Sequence, residues 1–155
     1  ILDFDVHHGN GTQHIFEADP TVFYASLHQH PLYPGTGAAT EQGTLNAHGT
    51  TLNIPLPAGT NDSTYLNHLE ATVLPAIQAH NPDFLILSAG FDAHAADPLS
   101  GTLVRTQAYG RMPEAVGALA ERCAGGRLLS MLEGGYDLTA LAESAAAHVA
   151  ALRSV

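Results

Sequence analysis

The sequence is poor in cysteine and in basic residues, and it has no long apolar run. A single cysteine, Cys123, excludes an internal disulfide and fits a reducing compartment, so we expect a cytoplasmic protein with Cys123 in its core. Lys and Arg together number five against a formal net charge of -10, which argues against a nucleic-acid partner. No apolar stretch reaches the roughly 20 residues of a membrane span, so no membrane partner is expected.

What the sequence does contain fits one globular unit. The chain has 155 residues, of which 45% are hydrophobic, enough for one compact core. Apolar periodicity predicts strands at 1–6, 21–27, 51–56, 84–87 and 128–132, and helices at 12–18, 61–81, 106–123 and from 137 onward. Because strands alternate with helices, we predict an α/β fold with three α/β/α layers and a mainly parallel sheet. The runs at 84–87 and 128–132 read as strands that are buried on both faces.

The first predicted strand already includes Ile1, with no methionine, helix cap or signal-peptide pattern before it. We therefore expect residues 1–155 to form the C-terminal half of a single domain that is incomplete at its N-terminus. The stretch 28–49 is rich in Gly, Pro, Thr and His and has no helical period. Its length and composition predict a functional loop.

Polar side chains follow three of the predicted strands, at the edge where ligands bind in open parallel sheets. Asp5 and His7 are two residues apart, so on a strand they would point to the same side. Asp92 arrives from another strand and would complete a set of three ligands. One histidine with two carboxylates and an open position suits catalytic zinc, while iron, cobalt and manganese stay possible.

Each of these residues also has an ordinary structural explanation. Asp92 alone reads as a turn former or helix cap, and Tyr136 as an aromatic residue in a turn. We expect His8 to hydrogen-bond backbone and to point away from its neighbour His7. Clustered buried charge is costly without a metal or a partner, so the functional interpretation is favoured for Asp5 and His7.

Four segments, in this order, carry a specific resemblance: DVHHGNGTQ at 5–13, SLHQHPLYPGTG at 26–37, SAGFDAHAADPL at 88–99 and LEGGYDL at 132–138. They resemble motifs of the histone deacetylase, acetylpolyamine amidohydrolase and acetoin-utilisation family, in its class II-like branch. The resemblance implies the arginase/deacetylase-like fold and one catalytic zinc ion. It also implies hydrolysis of acetyl-lysine in proteins, of acetylated polyamines or of another small amide through a metal-activated water.

The same resemblance assigns roles to individual residues. It implies zinc ligation by Asp5, His7 and Asp92, and it makes Tyr136 the catalytic residue that stabilises the developing oxyanion. It implies that Asp3 orients a catalytic histidine. A structural potassium ion would take oxygens from Asp3, Asp5, His7, Ser26 and Leu27.

Further positions concern the substrate channel. The resemblance places Tyr33 and Leu99 on the channel wall, and Gly134 and Gly135 where the backbone must approach the channel closely. Asn10 stands where class I relatives have Asp, which weakens the basicity of the histidine it would contact.

The family's paired active-site histidines have no counterpart before Asp3, so the general base is missing and the isolated chain is expected to be inactive. Two other functions stay open from the residues alone. One is a binuclear manganese hydrolase of the arginase type, which needs additional bridging carboxylates. The other is a non-catalytic, metal-binding fragment that recognises acyl-lysine, although retention of Tyr136 argues against it. The oligomeric state is not indicated by the sequence.

Overall fold

The computed structural model describes residues 1–154 and contains one five-stranded sheet. The strands are β1 (Leu2–Asp3), β2 (Tyr24–Gln29), β3 (Thr51–Leu56), β4 (Leu85–Ala89) and β5 (Leu128–Leu132). The strand order is β3-β2-β1-β4-β5, and every neighbouring pair is parallel. The central strand β1 pairs with β2 on one side and β4 on the other, so the chain order reverses at β1. Such a reversal opens a crevice at the carboxyl ends of the strands.

The first strand is much shorter than predicted, because it ends at Asp3 rather than at residue 6. Two aspartates explain the difference. The Asp3 carboxylate accepts the backbone N–H of Asp5 at 3.1 Å, and the Asp5 carboxylate accepts that of His7 at 2.8 Å. Side-chain bonds to the backbone two residues ahead replace sheet bonds and turn the chain. Asp5 and His7 therefore lie beyond the strand, and strand alternation does not set their directions.

The helices lie where the periodicity predicts them, within a few residues: α1 (Asn10–Phe16), α2 (Asp62–His68), α3 (Leu74–His80), α4 (Thr106–Cys123) and α5 (Leu138–Leu152). The Asn61 side chain caps α2 by accepting the Thr64 N–H at 3.1 Å. The helix predicted at 61–81 is interrupted before Pro75, where a wide turn at Leu69–Val73 joins α2 to α3. Proline has no N–H to donate, and a wider turn accommodates the missing bond. No helix within 1–154 is long and apolar enough to cross a lipid bilayer.

The main core lies on one face of the sheet. Apolar side chains of α2 and α4 pack there with Leu27 of β2 and Leu87 of β4. Cys123, at the end of α4, is half-buried against this core, close to its predicted place. On the opposite face, α1 and the long loop cover β2 and β3, where Asn53 Nδ2 donates to Gln13 Oε1 at 2.8 Å. The α/β prediction is confirmed, with helices on both sides of the sheet.

The prediction that β4 and β5 are buried on both faces is wrong. Ser130 faces α5, where its hydroxyl lies 2.8 Å from His148 Nε2. The residues on the other side of β5 are open, with Leu129 44% and Met131 52% exposed. No helix among residues 1–154 covers that side, and no described strand pairs with the outer edge of β5. This open face borders the cavity at the carboxyl ends of the strands.

Candidate metal centre

Three segments meet at the carboxyl edge of the sheet, one after each of β1, β4 and β5. They line a cavity of about 840 Å³ whose walls include Asp5, His7, Tyr33, Leu99 and Tyr136. The cavity lies beside β1, where the chain order reverses, as expected for a ligand site in a parallel α/β sheet.

Asp5, His7 and Asp92 converge as the sequence predicts. The Nδ1 atom of His7 lies 3.1 Å from Asp5 Oδ1 and 3.0 Å from Asp92 Oδ2. One ligand atom from each residue falls within 4.8 Å of the others, and among residues 1–154 no other group of three such side chains does so. Two oxygens and one imidazole nitrogen around a single point make a donor set that a divalent cation can bind.

Backbone donors hold the two carboxylates in place. Asp92 is fully buried, and its Oδ1 accepts the Val6 N–H at 2.8 Å, which ties the end of β4 to the segment after β1. The Oδ2 atom of Asp5 accepts the Gly134 N–H at 2.8 Å, which ties that segment to the end of β5. All three segments are therefore fixed relative to the ligand atoms, as metal sites require of their supporting contacts.

The electrostatics of the group favour a cation. Hydrogen bonds to Asp5 and then to Asp92 raise the pKa of His7 to about 10, because the two carboxylates stabilise positive charge between them. Burial acts to raise the pKa of Asp5, but its hydrogen bonds to His7 and Gly134 outweigh burial and hold that pKa below its usual range. A metal ion at this position would take the place of the His7 proton.

Two glycines let the backbone pass close to the carboxylates. A Cβ at Gly134 would overlap Asp92 Oδ2 and Asp5 Oδ2, and a Cβ at Gly90 would overlap the side chain of Asp5. Gly134 does line the cavity, but the atoms that leave no room for a side chain there belong to Asp92 and Asp5. Gly135, predicted at the channel, has φ +144° and faces the interior, where a Cβ would meet Phe91 and Leu141. The sequence prediction missed Gly90, although its place between β4 and Asp92 was a signal.

The predicted catalytic and channel residues surround the opening of the cavity. Tyr136, Leu99 and Tyr33 are exposed and lie on its wall. The Tyr33 ring stands edge-on to the His7 ring, with centroids 6.4 Å apart. Burial, followed by the charges of Asp92 and Asp5, raises the pKa of Tyr136, so its hydroxyl stays protonated at neutral pH.

His8 points away from its neighbour His7, and it is buried. Its Nδ1 lies 2.7 Å from Thr36 Oγ1 and its Nε2 lies 2.9 Å from Gln13 Oε1. The partners are side chains rather than the expected backbone groups. Both ring nitrogens are engaged, so His8 is not available as a metal ligand.

Asp3 is buried and accepts the Tyr24 hydroxyl at 2.9 Å, and burial raises its pKa to about 7. It is in register with Ser26, whose hydroxyl lies 2.9 Å from His28 Nδ1. The Leu27 carbonyl accepts the Tyr65 hydroxyl at 3.3 Å. A potassium site at Asp3, Ser26 and Leu27 stays a prediction.

Asn10, the remaining predicted residue, is exposed at the first position of α1 and is not among the residues that line the cavity. Its assigned role beside a histidine also stays a prediction. A residue that the sequence prediction did not single out, Asp97, is almost fully buried and accepts the backbone N–H of Tyr136 at 2.7 Å. The Asp97-Pro98 pair, typical of a turn, was the available signal.

Known proteins resemble the chain over nearly all of its length. A family model described as "Histone deacetylase domain" matches residues 1–152. The protein "Histone deacetylase 14, chloroplastic" of Arabidopsis thaliana is 43% identical over 152 residues, which cover 98% of this chain and 36% of that protein. The crystal structure of the HDA15 HD domain matches with a TM-score of 0.93 and 44% identity, over 99% of this chain and 43% of that one.

A second solved structure, acetylpolyamine aminohydrolase from Burkholderia pseudomallei, matches with a TM-score of 0.89 and 34% identity, over 97% of this chain and 43% of that one. The chain thus spans well under half the length of these relatives. Within that span, the similarity includes the three segments that build the candidate metal centre. The chain belongs to the histone deacetylase domain family and has its arginase/deacetylase-like α/β fold.

Proposed function

We propose that this chain carries the metal centre and part of the substrate channel of a zinc-dependent hydrolase that removes acetyl groups from lysine side chains or related amines. The observation that carries the proposal is the convergence of Asp5, His7 and Asp92 beside a cavity that Asp5, His7 and Tyr136 line. The family match agrees with this activity.

The donor set fits zinc. Two carboxylates and one imidazole leave a position open towards the cavity, as catalytic zinc sites do. Bound zinc would polarise an amide carbonyl and lower the pKa of a water molecule. His7 would bind through Nδ1, the ring nitrogen that faces both carboxylates.

Tyr136 provides the hydrogen-bond donor for the substrate carbonyl. Its hydroxyl has no hydrogen-bond partner within residues 1–154, and its raised pKa keeps the proton in place. A donor at this position strengthens its bond as negative charge develops on the carbonyl oxygen during attack. It therefore lowers the transition-state energy more than the energy of bound substrate.

The cavity wall matches an acylated amine with an aliphatic stem. Tyr33 and Leu99 present apolar surface at its opening, and Asp3, Asp5 and Glu133 add acidic groups. Such a wall accommodates the methylene groups of acetyl-lysine and also the chain of an acetylated polyamine, whose remaining amines are cationic. Acetylated proteins and acetylated polyamines are the two substrate classes that we propose.

We also propose that residues 1–155 do not complete the reaction alone. Attack on an amide needs a base for the water proton and an acid for the leaving amine. Of the groups on the cavity, His8 has both nitrogens bonded, and the Glu133 carboxylate accepts the Ser88 hydroxyl at 2.9 Å. The test is to assay the 155-residue chain, loaded with zinc, beside the full-length protein. Equal activity in both would place the base within this chain.

The arginase-type alternative has less support. A binuclear site needs bridging carboxylates, and within residues 1–154 only one group of three ligands comes together. A metal-binding module without catalysis would have no use for the Tyr136 hydroxyl at the cavity.

The experiment that tests the proposal measures zinc per chain by elemental analysis, and hydrolysis of acetyl-lysine peptides and acetylated polyamines, in the full-length protein. We expect one zinc ion and metal-dependent release of acetate from at least one substrate class. Two manganese ions per chain would favour the arginase type. Bound zinc without hydrolysis of either class would favour the non-catalytic module.

A further inference from the structure

The Asp97 carboxylate joins the two loops that form the cavity opening. Its Oδ1 accepts the Leu99 N–H at 2.9 Å. Its Oδ2 accepts the Tyr136 N–H at 2.7 Å and the Asp137 N–H at 3.3 Å. The residue is 6% exposed, so these bonds are shielded from solvent. One buried side chain therefore contacts both the predicted catalytic tyrosine and a predicted channel residue.

The loop that carries Asp97 is anchored independently of Tyr136. The Asp97 N–H donates to His94 O at 2.8 Å, and the Thr102 hydroxyl donates to Ala93 O at 2.7 Å. Backbone bonding between Ala95 and Val104 closes the base of the loop at 2.7 Å. Asp97 thus acts from a fixed support.

The segment that carries Tyr136 is short and lies between two glycines and Asp137, which caps α5 by accepting the Ala140 N–H at 2.8 Å. Tyr136 follows Gly134 and Gly135, the residues with the greatest backbone freedom, and Gly135 has φ +144°. Gly134 is held by Asp5 and by Phe91, whose N–H donates to Gly134 O at 2.7 Å. Between Gly135 and the start of α5, the Asp97 carboxylate is the acceptor of the Tyr136 N–H, and Tyr136 itself is 53% exposed.

We propose that Asp97 is a positioning residue that fixes the Tyr136 backbone and the Leu99 backbone relative to each other and so sets where the tyrosine hydroxyl stands over the metal centre. The role of Tyr136 in this statement rests on the proposed function. The placement of the two backbones does not, and it can be measured separately.

The chemistry of a carboxylate makes Asp97→Asn a selective test. Both oxygens of Asp97 accept N–H donors, and an ionised acceptor makes such bonds about twice as strong as neutral ones. An amide keeps one oxygen and directs an NH₂ group at the other N–H donor. Asparagine has nearly the same size, so packing is retained while at least one loop loses its anchor.

The first measurement is residue-resolved amide hydrogen exchange in the full-length protein without substrate. We expect protection of the Tyr136 and Leu99 amides, and exchange at one or both at least about tenfold faster in Asp97→Asn, as for loss of a bond to a charged group. The matched control is Asp62→Asn. Asp62 accepts the Arg105 N–H at 2.7 Å, at the far end of the same loop and away from the cavity. The Asp62→Asn change should leave amide exchange at Tyr136 and Leu99 unchanged.

The second measurement is a double-mutant cycle with Tyr136→Phe. Asp97→Asn alone should lower kcat by roughly 10- to 100-fold, the effect of displacing a catalytic group by about an ångström. In the Tyr136→Phe background the same change should have little further effect on kcat, because the hydroxyl that it displaces is gone. A general loss of stability would lower kcat equally in both backgrounds.

Three outcomes would overturn the proposal: unprotected Tyr136 and Leu99 amides in the unmodified protein, equal exchange in the Asp97→Asn and Asp62→Asn proteins, or additive effects on kcat. If Asp97→Asn does not fold, exchange in the unmodified protein still decides whether these amides are held. If the unmodified protein does not deacetylate, the proposed function is wrong, and the exchange measurement still decides the placement.

Discussion

Two groups of polar side chains lie next to each other in this protein. One contains His7 and the other contains the adjacent residue, His8. The candidate metal centre consists of Asp5, His7 and Asp92 and opens on the cavity. The histidine cluster consists of His8, His28, Gln13, Glu41 and Thr36 and is packed under the long loop, with the rings of His8 and His28 4.8 Å apart.

The difference between the two groups lies in how charge is balanced. In the metal centre two carboxylates face one ring nitrogen, which raises the pKa of His7 to about 10. In the histidine cluster, burial, and then the nearby charge of His8, lowers the pKa of His28 to about 4. Neutral His28 is stable there because the Ser26 hydroxyl and the Gly37 carbonyl satisfy its two ring nitrogens. Convergent unbalanced charge distinguishes the candidate functional site from a buried structural cluster.

The strongest test of this comparison removes a carboxylate from each group in the full-length protein. Asp92→Ala should lose most of the zinc, more than the 10- to 100-fold loss of affinity typical of supporting residues, because a direct ligand is gone. Glu41→Gln removes the carboxylate that accepts Gln13 Nε2, and it should leave zinc content unchanged. Elemental analysis after dialysis measures both. Undiminished zinc in Asp92→Ala would remove Asp92 from the ligand set.

The next effect in size concerns the hydroxyl of Tyr136. Tyr136→Phe should lower kcat by roughly 100- to 1,000-fold with a modest change in KM, because the hydroxyl acts as negative charge develops. Tyr109→Phe is the matched control, since it removes a buried hydroxyl that has no partner and lies in the core. Steady-state kinetics on acetyl-lysine peptides separates the two. Near-normal turnover in Tyr136→Phe would make Tyr136 a turn residue.

The smallest effect is a pH dependence that the histidine cluster should have. His28 has an ordinary pKa of 6.5 when unfolded and about 4 when folded, so the unfolded state binds more protons between these values. His28 should therefore contribute a fall of about 2 kcal/mol in the free energy of unfolding from pH 7 to pH 5, while Asp3, whose pKa is raised by burial, contributes in the opposite direction. Urea unfolding of the full-length protein and of His28→Gln at both pH values isolates this contribution as the difference between their pH dependences. Equal pH dependences in the two proteins would contradict the assignment.

Sequence patterns located the elements well because helices and strands have fixed periods. The periodicity of α4 and the cap of α2 are local properties, and both were found where the residues indicate. The burial of β5 was predicted incorrectly, because Leu129 and Met131 are apolar whether or not another layer covers them. Burial depends on which elements pack together.

The sequence by itself determined the residue types of the candidate metal centre and their spacing: one histidine and two aspartates after β1 and β4. Only the tertiary structure decided how they meet. The aspartates shorten β1 by bonding to their own backbone, so contacts from Val6 and Gly134, rather than strand alternation, aim the carboxylates. Likewise, no local pattern links Asp97 to Tyr136, which lie 39 positions apart. Contacts between distant segments form when the sheet brings their ends together, and a one-dimensional pattern does not contain that distance.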